Sequence, residues 1–559
     1  MSINIKFHYI DFQPKIDRMD WMSTLMKGTA VLTIGMFLSK VLGLIYIFPF
    51  YAIIGEENIA LYQYAYIPYS IMLSIAISGL PLAVSKFVSK YNTMDDYESG
   101  YKLMKSGMLV MTITGVASFL ILNLLATPIA EVVIKSEDQV FSVEQVASVI
   151  RWVSFALIVV PFMSLCRGFF QGYNKMEPTA ISQLIEQIVR IIFLLVGSFI
   201  IVVLLKGKTE TAISLSVFAA FIGAIGGLLV LGYYWRKYKP ELSLLRNEGK
   251  VTDSKLQLSE IYKEVLTYSV PIIFVGLANP LFQLVDMLTF NSAMASIGMA
   301  AVSDKYLMML NFSTHKVVII PVMLATSLSL ALVPTITKYF TQGEYGHLRN
   351  AMDKSYQILF FITLPAVLGI SVLSNEIYFT LYSESAMGAS VLAHYAPVAI
   401  LFALFQVTAA LLQGIDYQKW IIFSLLTGIL IKLMLNAPLI KVMQVDGAIL
   451  ATVIGYGVSI IINLLVLKKI LNYQSKMVKR RILLIAILSI VMVVAVIITQ
   501  KILIAIMGPV DSKLSAIIIS LICMGVGVAI YSILSFKLGL AQKMLGDRIT
   551  RLGAKFGLK

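Results

Sequence analysis

Long apolar runs dominate the chain, and each has about the length that crosses a bilayer. A transmembrane helix needs roughly 20 predominantly apolar residues. The runs predict fourteen spans, at 28–54, 59–89, 103–127, 148–171, 179–205, 211–234, 264–291, 306–338, 353–374, 388–413, 419–440, 447–467, 481–503 and 514–536. The pattern therefore predicts an all-α polytopic membrane protein with about 14 transmembrane helices.

The pattern of polar residues in and between the apolar runs of the first half recurs in the second half. The run from Gln171 to Arg190, QGYNKMEPTAISQLIEQIVR, aligns without a gap with the run from Gln413 to Lys432, QGIDYQKWIIFSLLTGILIK. Two copies that run in the same direction predict two six-helix lobes related by a parallel internal repeat. Transporters built from repeats hold their substrate where the halves meet. The last two spans have no counterpart and form an additional C-terminal pair.

The spans and the polar segments between them predict a division of the chain into six parts. These are a cytoplasmic N-terminal segment 1–26, a first lobe 27–235 (helices 1–6), a cytoplasmic linker 236–263, a second lobe 264–468 (helices 7–12), extra helices 13 and 14 at 469–536, and a basic amphipathic cytoplasmic tail 537–559. If the N-terminus is cytoplasmic, most of the 45 Lys and Arg residues fall on the cytoplasmic side. This asymmetry predicts a cell-membrane protein with both termini inside.

Composition excludes several functional classes. With 58% hydrophobic and 13% charged residues, the chain is too apolar for a soluble protein of this size. The net charge of +15 resides in short loops, which is typical of membrane orientation and not of nucleic-acid binding. Two cysteines and four scattered histidines have no metal-binding spacing, so we expect neither a metal nor a cofactor. The predicted external loops are too short to carry the active site of a membrane glycosyltransferase, so we expect no enzyme.

Several ionisable side chains fall inside or at the edge of the predicted spans. A charge at the bilayer centre costs roughly 2.5–3.5 kcal/mol on insertion scales, so its presence suggests a function. The candidates for a substrate-binding cavity are Lys40, Glu186, Arg190, Asp286, Asp304, Lys305, His315, Lys316 and Lys432. Together they predict a positively biased cavity at the junction of spans 1, 2, 7 and 8, which suits an anionic substrate.

The roles of the two repeat-related cations stay open. Glu186 and Arg190 are spaced i, i+4 in the order that favours an intrahelical ion pair, which can be purely structural. Lys432, the counterpart of Arg190, has Gly428 where Glu186 stands and so lacks that partner. The sequence does not decide which of the two cations lines the cavity.

Two further groups also have alternative interpretations. His315 either titrates near neutral pH and couples transport to protons, or is a hydrogen-bonded structural residue. Tyr62, Tyr66 and Tyr69 form a helical stripe, which is first interpreted as an interfacial belt and second as cavity lining.

Three short motifs resemble those of the multidrug/oligosaccharidyl-lipid/polysaccharide exporter superfamily. Ser39 to Gly43 (SKVLG) is similar to its S-R-V-L-G, and Ser303 to Leu307 (SDKYL) to its A-D-R-L stretch. Asn436 with Gly447-Ala448 resembles its turn between helices 11 and 12. Within the superfamily, the likeness is to the lipid II flippases and related Gram-positive polysaccharide-transport proteins, over essentially the whole chain.

The resemblance implies an alternating-access flippase that moves an anionic undecaprenyl-linked peptidoglycan precursor, lipid II, from the inner to the outer leaflet. Lys40, with Lys316, would engage the pyrophosphate, and the last two helices would form a groove for the polyprenyl tail. Some members bind sodium through oxygen atoms on helices 7, 11 and 12, and Lys432 would place a cation there instead, so we expect no sodium coupling. Nothing in the sequence requires more than a monomer.

The alternatives are export of another lipid-linked oligosaccharide, drug export and a scaffold role. Drug exporters of this superfamily generally take cations, which basic residues in a cavity oppose. A scaffold would leave the intramembrane charges and the repeat unexplained.

Overall fold

Helices form all the regular secondary structure in the part of the chain that the computed structural model describes. The described residues are 35, 38–39, 41–43, 45–77, 79–248, 258–330, 333–473 and 476–545. Lys40, the segment 1–34 and most of the basic tail lie outside them, so our expectations for those parts stay predictions. Within the described residues, 13 helices are long and apolar enough to cross a membrane. A shorter apolar helix, Val41–Ile54, lies in the first predicted span.

The chain folds as two successive helix bundles followed by a helix pair. The first lobe contains α1 (Ile47–Ile54), α2 (Glu56–Ile77), α3 (Leu80–Asn92), α4 (Tyr97–Val133), α5 (Val143–Ser154), α6 (Ala156–Gly172), α7 (Glu177–Phe199), π1 (Ile200–Leu204) and α8 (Thr209–Glu248). The second lobe contains α9 (Leu258–Ala295), α10 (Ala300–Met308), π2 (Met309–Thr314), α11 (His315–Leu330), α12 (Val333–Thr341), α13 (Tyr345–Val372), α14 (Ser374–Leu381), α15 (Ala386–Tyr395), α16 (Val398–Gly414), α17 (Gln418–Met443) and α18 (Val445–Leu471). The remaining helices are α19 (Lys476–Met507), α20 (Lys513–Lys537) and α21 (Leu540–Leu545).

The two lobes meet mainly where α2 packs against α9 and α10. The C-terminal pair lies on the second lobe, with α19 against α13 and α20 against α14. Most of the segment predicted as a linker is helical, since α8 continues to Glu248 and α9 begins at Leu258. The extension of α8 is fastened to the first lobe by an ion pair between Arg246 and Glu98 at 2.7 Å.

The repeated Gln-Gly pairs occupy the same local structure in both lobes. α6 ends at Gly172 and α16 ends at Gly414, and each is followed by a short turn into the next long helix. Asn174 (φ 57°) and Asp416 (φ 64°) provide the left-handed residue of these turns. Asn and Asp tolerate this conformation better than other non-glycine residues do. The correspondence between 171–190 and 413–432 that we predicted is therefore accompanied by equal local geometry.

A close crossing of α17 and α18 depends on two glycines. A Cβ on Gly428 would meet Ser459 Oγ and the Gly455 carbonyl oxygen, and a Cβ on Gly455 would lie 2.7 Å from the Gly428 oxygen. Ser459 Oγ donates a hydrogen bond to the Ser424 carbonyl across the same crossing, at 2.8 Å. Small residues let helices approach closely in membranes, where packing contacts replace the hydrophobic driving force.

We expect Gly455→Ala to destabilise the protein by about 1–3 kcal/mol, because the added methyl group overpacks the crossing. The measurement is the thermal unfolding midpoint of the purified protein in detergent. Gly457→Ala is the matched control on the same helix, since its Cβ would meet no atom within 4 Å. Equal midpoints for the two variants would contradict this account of the crossing.

Candidate functional site

One end of the lobe junction is closed by a hydrogen-bond network around Asp304. The side chain is 1% exposed and accepts hydrogen bonds from the Tyr64 hydroxyl, from Asn291 Nδ2 at 3.0 Å, from the Val140 amide at 3.2 Å and from Gln139 Nε2 at 3.4 Å. Tyr64, Gln139 and Val140 belong to the first lobe, whereas Asn291 and Asp304 belong to the second. The Asp304 carboxylate therefore joins the two lobes at this end.

Lys305, the neighbour of Asp304, adds a weaker contact at the same end. Its ammonium lies 3.5 Å from Glu56 Oε2, and Ser383 Oγ donates a hydrogen bond to the same oxygen at 2.7 Å. Lys305 is partly exposed, and exposed ion pairs of this kind contribute little to stability. We therefore assign the closure chiefly to the buried Asp304 network.

Arg190 lies among aromatic rings at the junction of the lobes. Its Nη2 donates a hydrogen bond to the Tyr62 hydroxyl at 3.2 Å, and its buried Nε has no hydrogen-bond partner within the described part of the chain. Tyr62 and Tyr69 are buried, while Tyr66 is 43% exposed. Tyr62 also contacts the Phe312 ring of the second lobe, with centroids 5.8 Å apart. Of our two interpretations of this tyrosine stripe, the structure favours lining of the lobe junction.

Lys316 reaches the same place from the second lobe. Its Nζ lies 3.7 Å from the centroid of Phe312 and 5.6 Å from that of Tyr46. Among the described residues no carboxylate lies within ion-pair distance of this ammonium. Lys316 and Arg190 are close enough for their charges to repel. The junction thus holds two cations, one from each lobe, with aromatic rings between them.

The predicted intrahelical pair between Glu186 and Arg190 is not formed. Glu186 Oε2 accepts from Arg167 Nη2 at 2.7 Å, and Arg167 Nε donates to Ser182 Oγ at 2.8 Å. Arg167 projects from α6 and forms the ion pair with Glu186 of α7 that we had predicted for Arg190. Our sequence reasoning missed Arg167, although it lies inside the predicted span 148–171 and its position within an apolar run was the available signal.

Lys432 is fully buried inside the second lobe and has a partner on another helix. Its ammonium donates to Asp286 Oδ2 at 2.6 Å, to the Phe282 carbonyl at 2.8 Å and to Thr452 Oγ1 at 2.9 Å. These three contacts use all three hydrogens of the ammonium. Asn436 Nδ2 donates to the second carboxylate oxygen at 3.1 Å. The structure therefore places Arg190 at the lobe junction, and Lys432 in an oxygen cage away from it.

His315 also faces the interior of the second lobe. Its Nδ1 lies 2.9 Å from the Tyr395 hydroxyl, and the Phe402 ring packs against the imidazole with centroids 5.7 Å apart. His315 is the first residue after the π-helical turn π2, and Lys316 follows it on the other side of the helix. Single π turns inside α-helices occur often at functional sites.

A large apolar groove begins beside Lys316. It has a volume of about 580 Å³ and lies between α11, α13, α19 and α20. Its walls include Val317, Phe361, Gly369, Met492 and Gly527. Val317 directly follows Lys316, so the groove passes within one residue of the cationic junction. The described residues contain no group of three or more His, Cys, Asp or Glu side chains that could hold a metal ion.

We expect Lys432→Met to destabilise the protein by about 3–5 kcal/mol, because Asp286 is then a buried charge without a partner. Thermal unfolding of the purified protein measures the effect. Combining Lys432→Met with Asp286→Leu removes both charges and should recover most of the loss. A double variant that is as unstable as the sum of the two single variants would show that the ion pair itself is not the cause.

Comparisons of sequence place this chain among known membrane proteins. The model of the family described as "Polysaccharide biosynthesis protein" matches residues 25–340. Over 533 residues the chain is 45% identical to "Lipid II flippase MurJ" of Bacillus subtilis (strain 168), covering 94% of this chain and 98% of the relative. "Stage V sporulation protein B" of the same organism is 24% identical over 465 residues, or 81% of this chain and 85% of the relative.

Comparisons of structure agree on the fold. A solved structure of "Lipid II flippase MurJ, inward closed conformation" matches with a TM-score of 0.62 at 15% identity, covering 91% of this chain and 99% of the other. The inward-facing conformation of a multidrug resistance MATE family transporter also gives a TM-score of 0.62 at 15% identity, with 81% and 99% coverage. The predicted all-α membrane fold and the predicted resemblance are confirmed, and the chain belongs to the polysaccharide biosynthesis protein family.

Proposed function

We propose that this protein is an alternating-access flippase that moves lipid II from the inner to the outer leaflet of the cell membrane. The observation that carries the proposal is the position of Lys316. It stands without a carboxylate partner among the described residues, lies within charge-repulsion range of Arg190 of the opposite lobe, and is followed in the chain by Val317, which lines an apolar groove of about 580 Å³. The name of the 45% identical relative, a lipid II flippase, supports the same substrate.

The arrangement suits a molecule with an anionic head and a long apolar tail. Diphosphate oxygens would accept charge-assisted hydrogen bonds from Arg190 and Lys316, and Lys40 is a third cation predicted to take part. The prenyl tail would lie in the groove beside Val317, whose lining is mostly apolar. Anion binding relieves the repulsion between the two cations, and this differential interaction is what shifts a conformational equilibrium.

The Asp304 network would be the outer gate of the transport cycle. We infer from the distribution of Lys and Arg that both termini are cytoplasmic, which puts the Asp304 end of the junction outside. The structure would then represent a state closed to the outside. Opening requires the three hydrogen bonds that Asp304 accepts from the first lobe, from Tyr64, Gln139 and Val140, to break. An inside-negative potential favours outward movement of the anion by about 2.3 kcal/mol per charge per 100 mV.

Export of another lipid-linked oligosaccharide is the second candidate. The cations and the groove offer contacts to a diphosphate and a prenyl tail, which such lipids share with lipid II. Drug export is disfavoured, because Arg190 and Lys316, which have no carboxylate partner in the described part of the chain, repel a cationic substrate. We also propose that transport does not require sodium, since the Lys432 ammonium occupies the oxygen cage formed by Asp286, Phe282 and Thr452.

We expect Lys316→Met and Arg190→Gln each to reduce the outward movement of lipid II about tenfold or more, because each removes a charge-assisted hydrogen bond. The assay is depletion of the protein in its host, complementation with each variant, and measurement of lipid II accessible at the outer surface. Lys441→Met is the control, since Lys441 is exposed at the end of α17. Unchanged outward lipid II in both variants, at normal membrane levels, would count against the cation site.

We expect Gly369→Phe to impair flipping by filling the groove. A Cβ at Gly369 would meet no atom within 4 Å, so the larger side chain enters the groove without disturbing the helix packing. Gly525→Phe is the matched control, because a Cβ at Gly525 would also meet no atom within 4 Å, and Gly525 is exposed and does not line the groove. The same complementation assay compares the two. If the two variants flip lipid II equally well, the tail does not occupy this groove.

A further inference from the structure

A small void lies inside the second lobe between the Lys432–Asp286 pair and His315. Its volume is about 10 Å³, and Tyr395 also lines it. This is about the space that the centre of one water molecule occupies. Carboxylate, hydroxyl and imidazole groups border it, so a single water there would have hydrogen-bond partners on both sides. The void thus connects a buried ion pair to an imidazole.

His315 connects this void with the cationic lobe junction. Its Nδ1 shares a hydrogen bond of 2.9 Å with the Tyr395 hydroxyl. The next residue, Lys316, points toward Phe312 and Tyr46 at the junction. A charge gained at His315 therefore arises one residue away from the proposed binding site for the anionic head group.

The charges around His315 determine when it can take up a proton. Its own helix contributes Lys316, while the helices packed around it contribute Asp286 (α9), Tyr395 (α15), Lys432 (α17) and Tyr456 (α18), with Arg190 of the first lobe beyond Lys316. Asp286 and Lys432 compensate each other. Burial of the ring opposes an imidazolium, and so does the Lys316 ammonium, which has no carboxylate partner among the described residues. An anion bound at Lys316 replaces the second of these effects with an attraction.

We propose that His315 is a proton-binding site linked to the anion site, so that binding of a diphosphate head group draws one proton from solution onto the imidazole. The proposal rests on the function proposed above. The Tyr395 hydroxyl can donate to the neutral Nδ1 and, after rotating, accept from the protonated one, so proton uptake needs no rearrangement of the backbone. Because linkage is reciprocal, a lower pH strengthens anion binding.

The test measures proton uptake directly, on the full chain in lipid nanodiscs with farnesyl diphosphate as the probe. Calorimetric titrations at pH 7 in two buffers of different ionisation enthalpy give the number of protons taken up per ligand bound. We expect the wild-type protein to take up close to one proton more than His315→Asn. The affinity of the wild type should also fall more steeply with rising pH, by up to roughly tenfold more per pH unit.

His394→Asn is the matched control, since His394 is an exposed histidine that pairs with Asp446 away from the void. It should behave like the wild type. Protonation of the probe itself is common to all three chains and cancels in the comparison. Tyr395→Phe keeps the ring but removes the hydroxyl, and we expect it to lower the proton count as well. If the His315→Asn protein aggregates in size-exclusion chromatography, the comparison is made between the wild type and Tyr395→Phe.

The outcomes separate this inference from the proposed function. Binding with equal proton counts in all variants overturns the role of His315 and leaves the anion site standing. Absence of probe binding to the wild type overturns the proposed anion site, and the linkage with it. A proton count that drops in His315→Asn and Tyr395→Phe but not in His394→Asn establishes the linked site.

Discussion

A charged side chain between apolar helices needs polar or charged partners within the protein, since lipid tails provide none. Two ion pairs meet this requirement with a counter-charge: the partly buried pair of Arg167 with Glu186 in the first lobe, and the fully buried pair of Lys432 with Asp286 in the second. Each pair joins two helices of one lobe. The charges that remain without a carboxylate partner among the described residues then define the lobe junction. The need for polar partners thus distinguishes cations that are bound within one lobe from cations that are available to an anion.

The two lobes meet this requirement differently at the positions that the predicted repeat aligns. In the first lobe Glu186 is taken by Arg167, which leaves Arg190 facing the tyrosines of α2. In the second lobe the position of Glu186 is Gly428, where α17 and α18 cross closely, and Lys432 turns into the lobe. Of the two cations that the predicted repeat aligns, one therefore lies at the junction and the other inside its lobe, although the turns before both helices are alike.

The sequence predicted the helices far better than it predicted the partners of their polar side chains. Apolar runs identify spans because every helix in lipid carries the same requirement for length. Periodicity shows which residues share a face of one helix, but it does not show which helix lies opposite. That is why Glu186 was paired with Arg190 instead of Arg167, and why Lys432 was left without Asp286. Asp304 and Lys305 are a further example. They are adjacent in the chain, but Asp304 lies in a buried hydrogen-bond network whereas Lys305 makes a half-exposed ion-pair contact.

The π-helical turn at Met309–Thr314 has a consequence for how such a protein can diversify. A π turn contains one residue more than an α turn, and each residue rotates the following side chains by about 100° around the helix axis. His315 and Lys316 owe their orientations to that extra residue. Loss of that residue would rotate the following side chains of α11 around the helix axis, and different side chains would then face the junction. A single-codon deletion can thus remodel the central site while every transmembrane helix keeps its place.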